Sequence, residues 1–135
     1  MKALGRHVIG DIFNCDKQKL NDLDYVKSAM IEAAKISGAT IVDTVFHRFS
    51  PQGISGTVVI AESHLAIHTW PEYGFCAIDL FTCGETVDPY KAFSHLEKMF
   101  DAKSSSVKEL KRGKQNQVLK NLKEIPLGKE GFPFK

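Results

Sequence analysis

The sequence contains no apolar run approaching the roughly 20 residues that cross a bilayer. Its first ten residues are broken by Arg6, His7 and Gly10, where a secretory signal needs an unbroken apolar stretch. Cysteine is scarce: Cys15, Cys76 and Cys83 are too few for a disulfide framework, and no C-x-x-C spacing suggests zinc. These absences lead us to expect a cytoplasmic protein with free thiols. Charge of one sign is also missing, since 18 basic and 16 acidic residues leave a net +2. The sum hides an asymmetry. Residues 1–101 carry 9 Lys/Arg against 13 Asp/Glu, whereas residues 102–135 carry 9 against 3. A basic end can attract an acidic partner, but this one lacks aromatics interleaved with its lysines, so no base-stacking platform is expected. We expect no nucleic-acid and no membrane partner. Residues 1–112 are read as a single catalytic domain and 113–135 as a basic, flexible tail.

The 135 residues suffice for one unaided core. Residues 3–13 carry Leu4, Val8, Ile9, Ile12 and Phe13 with few helix formers and read as a strand. Asn21 and Asp24 open a helix whose Leu23, Val26, Met30, Ala33 and Ala34 recur at helical spacing, and Gly38 closes it. Residues 39–49 are β-branched and aromatic, hence a second strand, followed by a loop marked by Pro51, Gly53 and Gly56. Strands are expected at 57–61, 64–70 and 75–82, the last two joined by Pro71-Glu72-Tyr73-Gly74. Asp88-Pro89 is an N-cap with proline at the first helical position, and Phe93, Leu96 and Phe100 line one face beyond it. A last strand falls at 105–111. The order β-α-β-β-β-β-α-β implies an α+β fold: a two-layer sandwich with a mainly antiparallel sheet and two helices on one face.

A turn at 71–74 sets Trp70 opposite Phe75, and the same register pairs 68 with 77, 66 with 79, 64 with 81 and 62 with 83. One face of this hairpin then carries His64, Ala66, His68, Trp70, Phe75, Ala77, Asp79 and Phe81, reaching Cys83. Leu65, Ile67, Thr69, Cys76, Ile78, Leu80 and Thr82 share the other, an ordinary surface for helices to cover. The first face, with two imidazoles, a carboxylate, three aromatics and a thiol, must meet solvent, a ligand or a second subunit.

Several chemistries compete for that face. His64 and His68 could share a metal on a helix, but on a strand they lie about 13 Å apart, and Leu65 stands where the metalloprotease pattern has Glu. Gly53-Ile54-Ser55-Gly56 suggests a serine hydrolase, yet Thr57 breaks the final glycine slot and no strand leads into a helix there. No metal is expected. The histidines could equally be ordinary sheet residues. Glu62-Ser63-His64 lies in a tight connection where backbone can be held strained, so that Ser63 could attack the carbonyl before it, with Cys83 brought alongside by the register.

The run from Ser63 through His68-Thr69-Trp70-Pro71-Glu72-Tyr73-Gly74, continuing to Asp79-Leu80-Phe81-Thr82-Cys83-Gly84, closely resembles the bacterial and archaeal S-adenosylmethionine decarboxylases. So do Leu4-Gly5-Arg6-His7, His47-Arg48-Phe49 and Pro51-Gln52-Gly53-Ile54-Ser55-Gly56. The likeness spans residues 3–101. It implies a pyruvoyl enzyme made as a proenzyme, self-cleaved between Glu62 and Ser63, with Ser63 becoming the covalent pyruvoyl group that forms a Schiff base with the substrate. It also implies that His68 serves as processing base, Ser55 supports the processing intermediate and Cys83 donates a proton to the substrate. Phe49 and Glu72 match adenine- and ribose-binding positions, with Trp70 a further wall. Asp79 and Phe81 are read as interface residues.

Ser63 and His68 lie about 16 Å apart on one extended strand, too far for one side chain to bridge. If His68 serves Ser63, it comes from a second copy, so a homodimer with shared sites and facing sheets is expected. The implied reaction decarboxylates S-adenosylmethionine to the aminopropyl donor of spermidine synthesis. Two alternatives stay open: a pyruvoyl decarboxylase of ornithine or arginine, and a non-catalytic ligand-binding module.

Overall fold

The computed structural model describes residues 3–122. Six strands form one sheet in the order β2-β3-β4-β5-β1-β6, with every neighbouring pair antiparallel. They are β1 (Ala3–Phe13), β2 (Ile41–Arg48), β3 (Ile54–Ile60), β4 (Ser63–Trp70), β5 (Phe75–Thr82) and β6 (Ser104–Lys114). The helices are α1 (Lys17–Leu20), α2 (Leu23–Ile36), α3 (Pro89–Met99) and α4 (Gln115–Asn121). The expected α+β architecture is what the chain adopts.

Helix α2 begins one residue after the Asp22 carboxylate, which accepts from the Tyr25 N–H at 3.0 Å. Asn21, expected at the start, instead accepts through Oδ1 from the Gly53 N–H at 3.0 Å and ties the helix entrance to the loop before β3. At α3 the cap is Asp88, as expected, with Pro89 in the first turn. The inward stripes of the two helices (Val26, Ala29, Met30 and Ala33; Ala92, Phe93 and Leu96) pack on Val8, Ile12, Val58, Leu65, Ile67, Ile78 and Leu80. Phe93 and Phe100 are both essentially inaccessible. Burying one such side chain is worth about 1.5–3 kcal/mol, so the helices are held by apolar area rather than by charge.

Three elements differ from expectation. Strand β3 starts at Ile54 rather than 57, because Gly56 belongs to the ladder: a Cβ there would lie 2.0 Å from the Phe46 ring, which crosses the strand at that point. Strand β6 runs on to Lys114, and α4 follows directly. The region read as a tail from 113 therefore opens with regular structure; residues 123–135 lie outside the described residues. Lastly, α1 is a single turn capped by Asp16, whose carboxylate accepts from Gln18 and Lys19 N–H groups.

Strand β6 is exposed along its whole length and is fastened to β1 partly by Arg6, whose guanidinium grips Glu109 bidentately at 2.9 and 3.1 Å. Tyr90 of α3 donates to the same carboxylate at 2.8 Å. The Arg6 hydrogen bond, then that from Tyr90, lowers the Glu109 carboxyl from its ordinary 4.5 to about 2. A depressed carboxyl stabilises the fold above its unfolded value and loses that contribution as pH falls through the folded one. Glu109→Gln is therefore expected to lower the melting temperature at pH 7 by a few degrees at most, since exposed ion pairs contribute about 0.2–1 kcal/mol. The difference should vanish as acid melts approach pH 2.

Candidate functional site

Among the described residues α2 and α3 cover one face of the sheet and leave the other open, and the hairpin registers with the expected pairs: Trp70 with Phe75, His68 with Ala77, Ala66 with Asp79 and His64 with Phe81. Leu65, Ile67, Thr69, Cys76, Ile78, Leu80 and Thr82 are buried on the helix side, as expected. Gly74, at φ +60, closes the turn after a short 3-10 helix, Pro71–Tyr73. Cys76 sits fully buried beside Cys15. The hydrogen bond to Cys15, followed by burial, pushes its thiol far up, so it stays protonated and inert.

At one end of β4, Ser63 pairs with Thr82. Its φ is 147°, a value side-chain-bearing residues rarely adopt, and holding such a residue costs about 1–3 kcal/mol. The flanking contacts explain how it persists. The Glu62 carbonyl accepts from the Cys83 N–H at 3.0 Å, and Ala61 N–H donates to Thr40 O at 2.8 Å. The Glu62 carboxylate accepts in turn from Thr40 N–H at 3.2 Å. The peptide carbonyl that Ser63 would attack is thus already polarised by a main-chain donor, and the residue providing it carries the half-exposed Cys83 thiol.

Ser55 and His68 form a second cluster. They are directly paired across β3 and β4, and Ser55 Oγ lies 2.9 Å from His68 Nδ1. A third group lies toward the turn. Trp70 is 40% exposed and packs on Phe75, Phe49 is 48% exposed and packs on His47, and Glu72 is exposed in the 3-10 turn. The Phe49 N–H donates to Gly53 O, holding this aromatic at the loop between β2 and β3. Within one chain, then, Ser63 and Cys83 share one end of the hairpin, whereas Ser55, His68, Trp70, Glu72 and Phe49 gather toward the other.

Sequence reasoning missed the partners of Asp79. Its Oδ2 accepts from both His64 Nε2 at 2.7 Å and His7 Nε2 at 2.8 Å. The Arg112 guanidinium reaches His7 Nδ1 at 3.0 Å, and Phe81 packs against both imidazoles. Partial burial works to raise the Asp79 carboxyl, but hydrogen bonds from His64 and His7 prevail and hold it below the ordinary carboxylate range. The three ligand-type atoms lie within 4.8 Å of one another. A guanidinium can only donate, however, so His7 Nδ1 accepts and Nε2 carries the proton that Asp79 receives. The cluster is a closed hydrogen-bonded chain, and the cation beside it opposes a metal ion. His68 takes no part, so His64 and His68 do not share a ligand. The signal for this cluster was the odd-position parity of His7 on β1, usable only once β1 is known to lie beside β5.

Comparison with known proteins gives a consistent picture. The family model described as S-adenosylmethionine decarboxylase matches residues 6–113. The chain is 56% identical over 118 residues to the S-adenosylmethionine decarboxylase proenzyme of Fervidobacterium nodosum, covering 87% of this chain and 86% of that protein. It is 55% identical over 118 residues to the proenzyme of the same name from Thermotoga maritima, covering 87% and 91%. The crystal structure of the adenosylmethionine decarboxylase from Aquifex aeolicus superposes with a TM-score of 0.77 at 30% identity, over 84% of this chain and 93% of that one. Among the described residues no helix is long and apolar enough to cross a membrane.

Proposed function

The chain belongs to the S-adenosylmethionine decarboxylase family, and from that premise we propose that it severs itself between Glu62 and Ser63 and then decarboxylates S-adenosyl-L-methionine. The product, S-adenosyl 3-(methylthio)propylamine, is the aminopropyl donor for spermidine synthesis. The observation that carries the reading is Ser63 itself: a serine at φ 147°, following a carbonyl that accepts from the Cys83 N–H. A strained serine next to a polarised carbonyl is a setting suited to an intramolecular acyl shift.

Ser63 Oγ adds to the Glu62 carbonyl carbon, the Cys83 N–H holds the resulting oxyanion, and the Glu62–Ser63 C–N bond breaks to leave an ester. Removal of the Ser63 Cα proton then breaks Cβ–Oγ and releases the Glu62 carboxylate. Water displaces ammonia from the dehydrated residue, leaving a ketone at position 63. His68 takes the Cα proton. With Nδ1–H donated to Ser55 Oγ, its Nε2 lone pair is free to do so, and the Ser55 hydroxyl proton is free to reach the oxyanion.

The pyruvoyl group so derived supplies an electron sink for the pair released with carbon dioxide. Residue 63 is suited to bear it, because the Cys83 thiol flanks that position and can hold a proton for the substrate α-carbon. Phe49 and Trp70 offer faces to adenine and to the sulfonium cation, and Glu72 offers a carboxylate to the ribose hydroxyls. Their retention favours the nucleoside substrate over ornithine or arginine.

His68 stands five residues from Ser63 on the extended β4, or about 16 Å. Each site therefore takes Ser63 and Cys83 from one chain and Phe49, Ser55, His68 and Glu72 from another, with the open sheet faces meeting in a homodimer. Three free thiols suit the reducing cytoplasm. Intact-mass measurement tests the reading: purified protein should resolve into chains of 62 and 73 residues, the longer reacting with borohydride at its N-terminus. A single uncut chain that releases no carbon dioxide from S-adenosylmethionine would overturn it.

A further inference from the structure

Strain at Ser63 survives only if both of its neighbours are held, since a free flank would let φ relax. The upstream neighbour is held three ways: the Glu62 carbonyl by Cys83, its carboxylate by Thr40, and Ala61 by Thr40. Downstream, Ser63 and His64 are paired on both sides, with Thr82 and Phe81 of β5 and with Ile60 and Val59 of β3, yet this is the first rung of β4, where a strand frays most readily. What distinguishes this rung is the His64 side chain. Its ring is donated to the Asp79 carboxylate at 2.7 Å and lies along the Phe81 ring, 27° from parallel.

Asp79 is itself fixed. The same oxygen receives His7 from β1, and Arg112 from β6 holds the far side of that imidazole. One carboxylate thus joins three strands at the point where the fourth begins to bend into the strained residue. The chain of donors runs in one direction, from Arg112 to His7 to Asp79, with His64 entering from the other side. Because Arg112 cannot accept, the His7 ring cannot flip its tautomer without losing a bond, and the orientation of the Asp79 carboxylate is determined.

Resting on the self-cleavage reading above, we infer that Asp79 is a positioning residue for that cleavage, acting through the His64 ring to hold the downstream side of Ser63. Its effect is to keep Oγ within reach of the carbonyl carbon, the first step, rather than to move a proton in the second.

Asp79→Ala, Asp79→Asn, His64→Ala and the Asp79→Ala/His64→Ala double variant, each made as the full chain, test this. Cleavage is followed with time on denaturing gels, with circular dichroism and melting curves on the same samples. Each Ala variant should cleave about tenfold or more slowly while retaining its fold, and the double variant should be no slower than the slower single one, because both remove the same contact. Hydroxylamine, which cuts esters and not amides, should release no extra product from the Asp79 variants, since the attack itself is impaired. Cleavage of folded Asp79→Ala at the wild-type rate, independent effects in the double variant, or a pool of ester would each overturn the inference. Should Asp79→Ala fail to fold, His64→Ala decides on the same criteria, and Asp79→Asn, whose amide oxygen can still accept from the His64 ring, should cleave faster than His64→Ala. An uncut wild type would overturn the function itself; a cut wild type beside an equally fast His64→Ala would overturn only the role of Asp79.

Discussion

Ser63→Ala should remain a single 135-residue polypeptide with no decarboxylase activity, however long it is incubated. The substitution removes one oxygen from a half-buried position and leaves the Ser63–Thr82 pairing in place. Melting behaviour should therefore change little, within about 0.5–1 kcal/mol of the parent. Activity should fall without residue, because both the nucleophile of the acyl shift and the source of the ketone are lost together. Ser63→Cys separates these. A thiol attacks the same carbonyl and forms a thioester, so slow cleavage should persist, and elimination of the sulfur should yield the same ketone. Gel analysis and borohydride labelling distinguish the two variants. An Ala variant that is still cut at position 62 would show that some other group performs the attack.

Much of this site was legible in the residue order because one short turn sets the register of a whole hairpin. Once Pro71-Glu72-Tyr73-Gly74 is recognised as a turn, the pairing from Trp70·Phe75 to His64·Phe81 follows by counting. The opposition of Glu62 and Cys83 then follows too, realised in their 3.0 Å main-chain bond. Alternation supplies the rest, dividing the buried Leu65, Ile67 and Leu80 from the open His64, His68 and Asp79. What counting cannot supply is the pairing of strands far apart in the sequence. The chain begins with β1, which inserts between β5 and β6, so the meeting of His7 with Asp79 spans 72 residues of sequence. Neither residue announces it. Strand β6 is legible only in its middle, at 105–111, for a different reason: its residues Ser104–Lys114 are almost all polar and all exposed. They are extended because β1 offers an unpaired edge, not because of their own propensity. Gly56 misled in the other direction, since a glycine suited to a loop is used here to admit the Phe46 ring.

His68→Ala should arrest the chain after the acyl shift rather than before it. Ser63 Oγ, the strained φ and the Cys83 N–H are all untouched by the substitution, while the proposed base for Cα proton removal is gone. Loss of such a base typically costs about 10²–10⁴ in rate. An ester at residue 62 should accumulate, and hydroxylamine should cut it. Because His68 and Ser63 stand at opposite ends of the hairpin in any one chain, this variant and Ser63→Ala should damage different halves of the proposed shared site. When both are co-expressed, a mixed dimer holds one site with both lesions and one with neither. Random pairing makes half of the dimers mixed, so about a quarter of all sites should be intact and activity should return to about that fraction of wild type. Cleavage should appear only in the chains carrying His68→Ala, which a tag on either chain reveals by its shift on a gel. Two variants that remain inactive together, although each pairs with wild type, would place both residues in the same chain's site and dissolve the case for a shared one. The strand geometry argues against that outcome: five residues of extended β4 separate the two side chains by about 16 Å, a distance that the proposed second sheet, laid against the open face, would close.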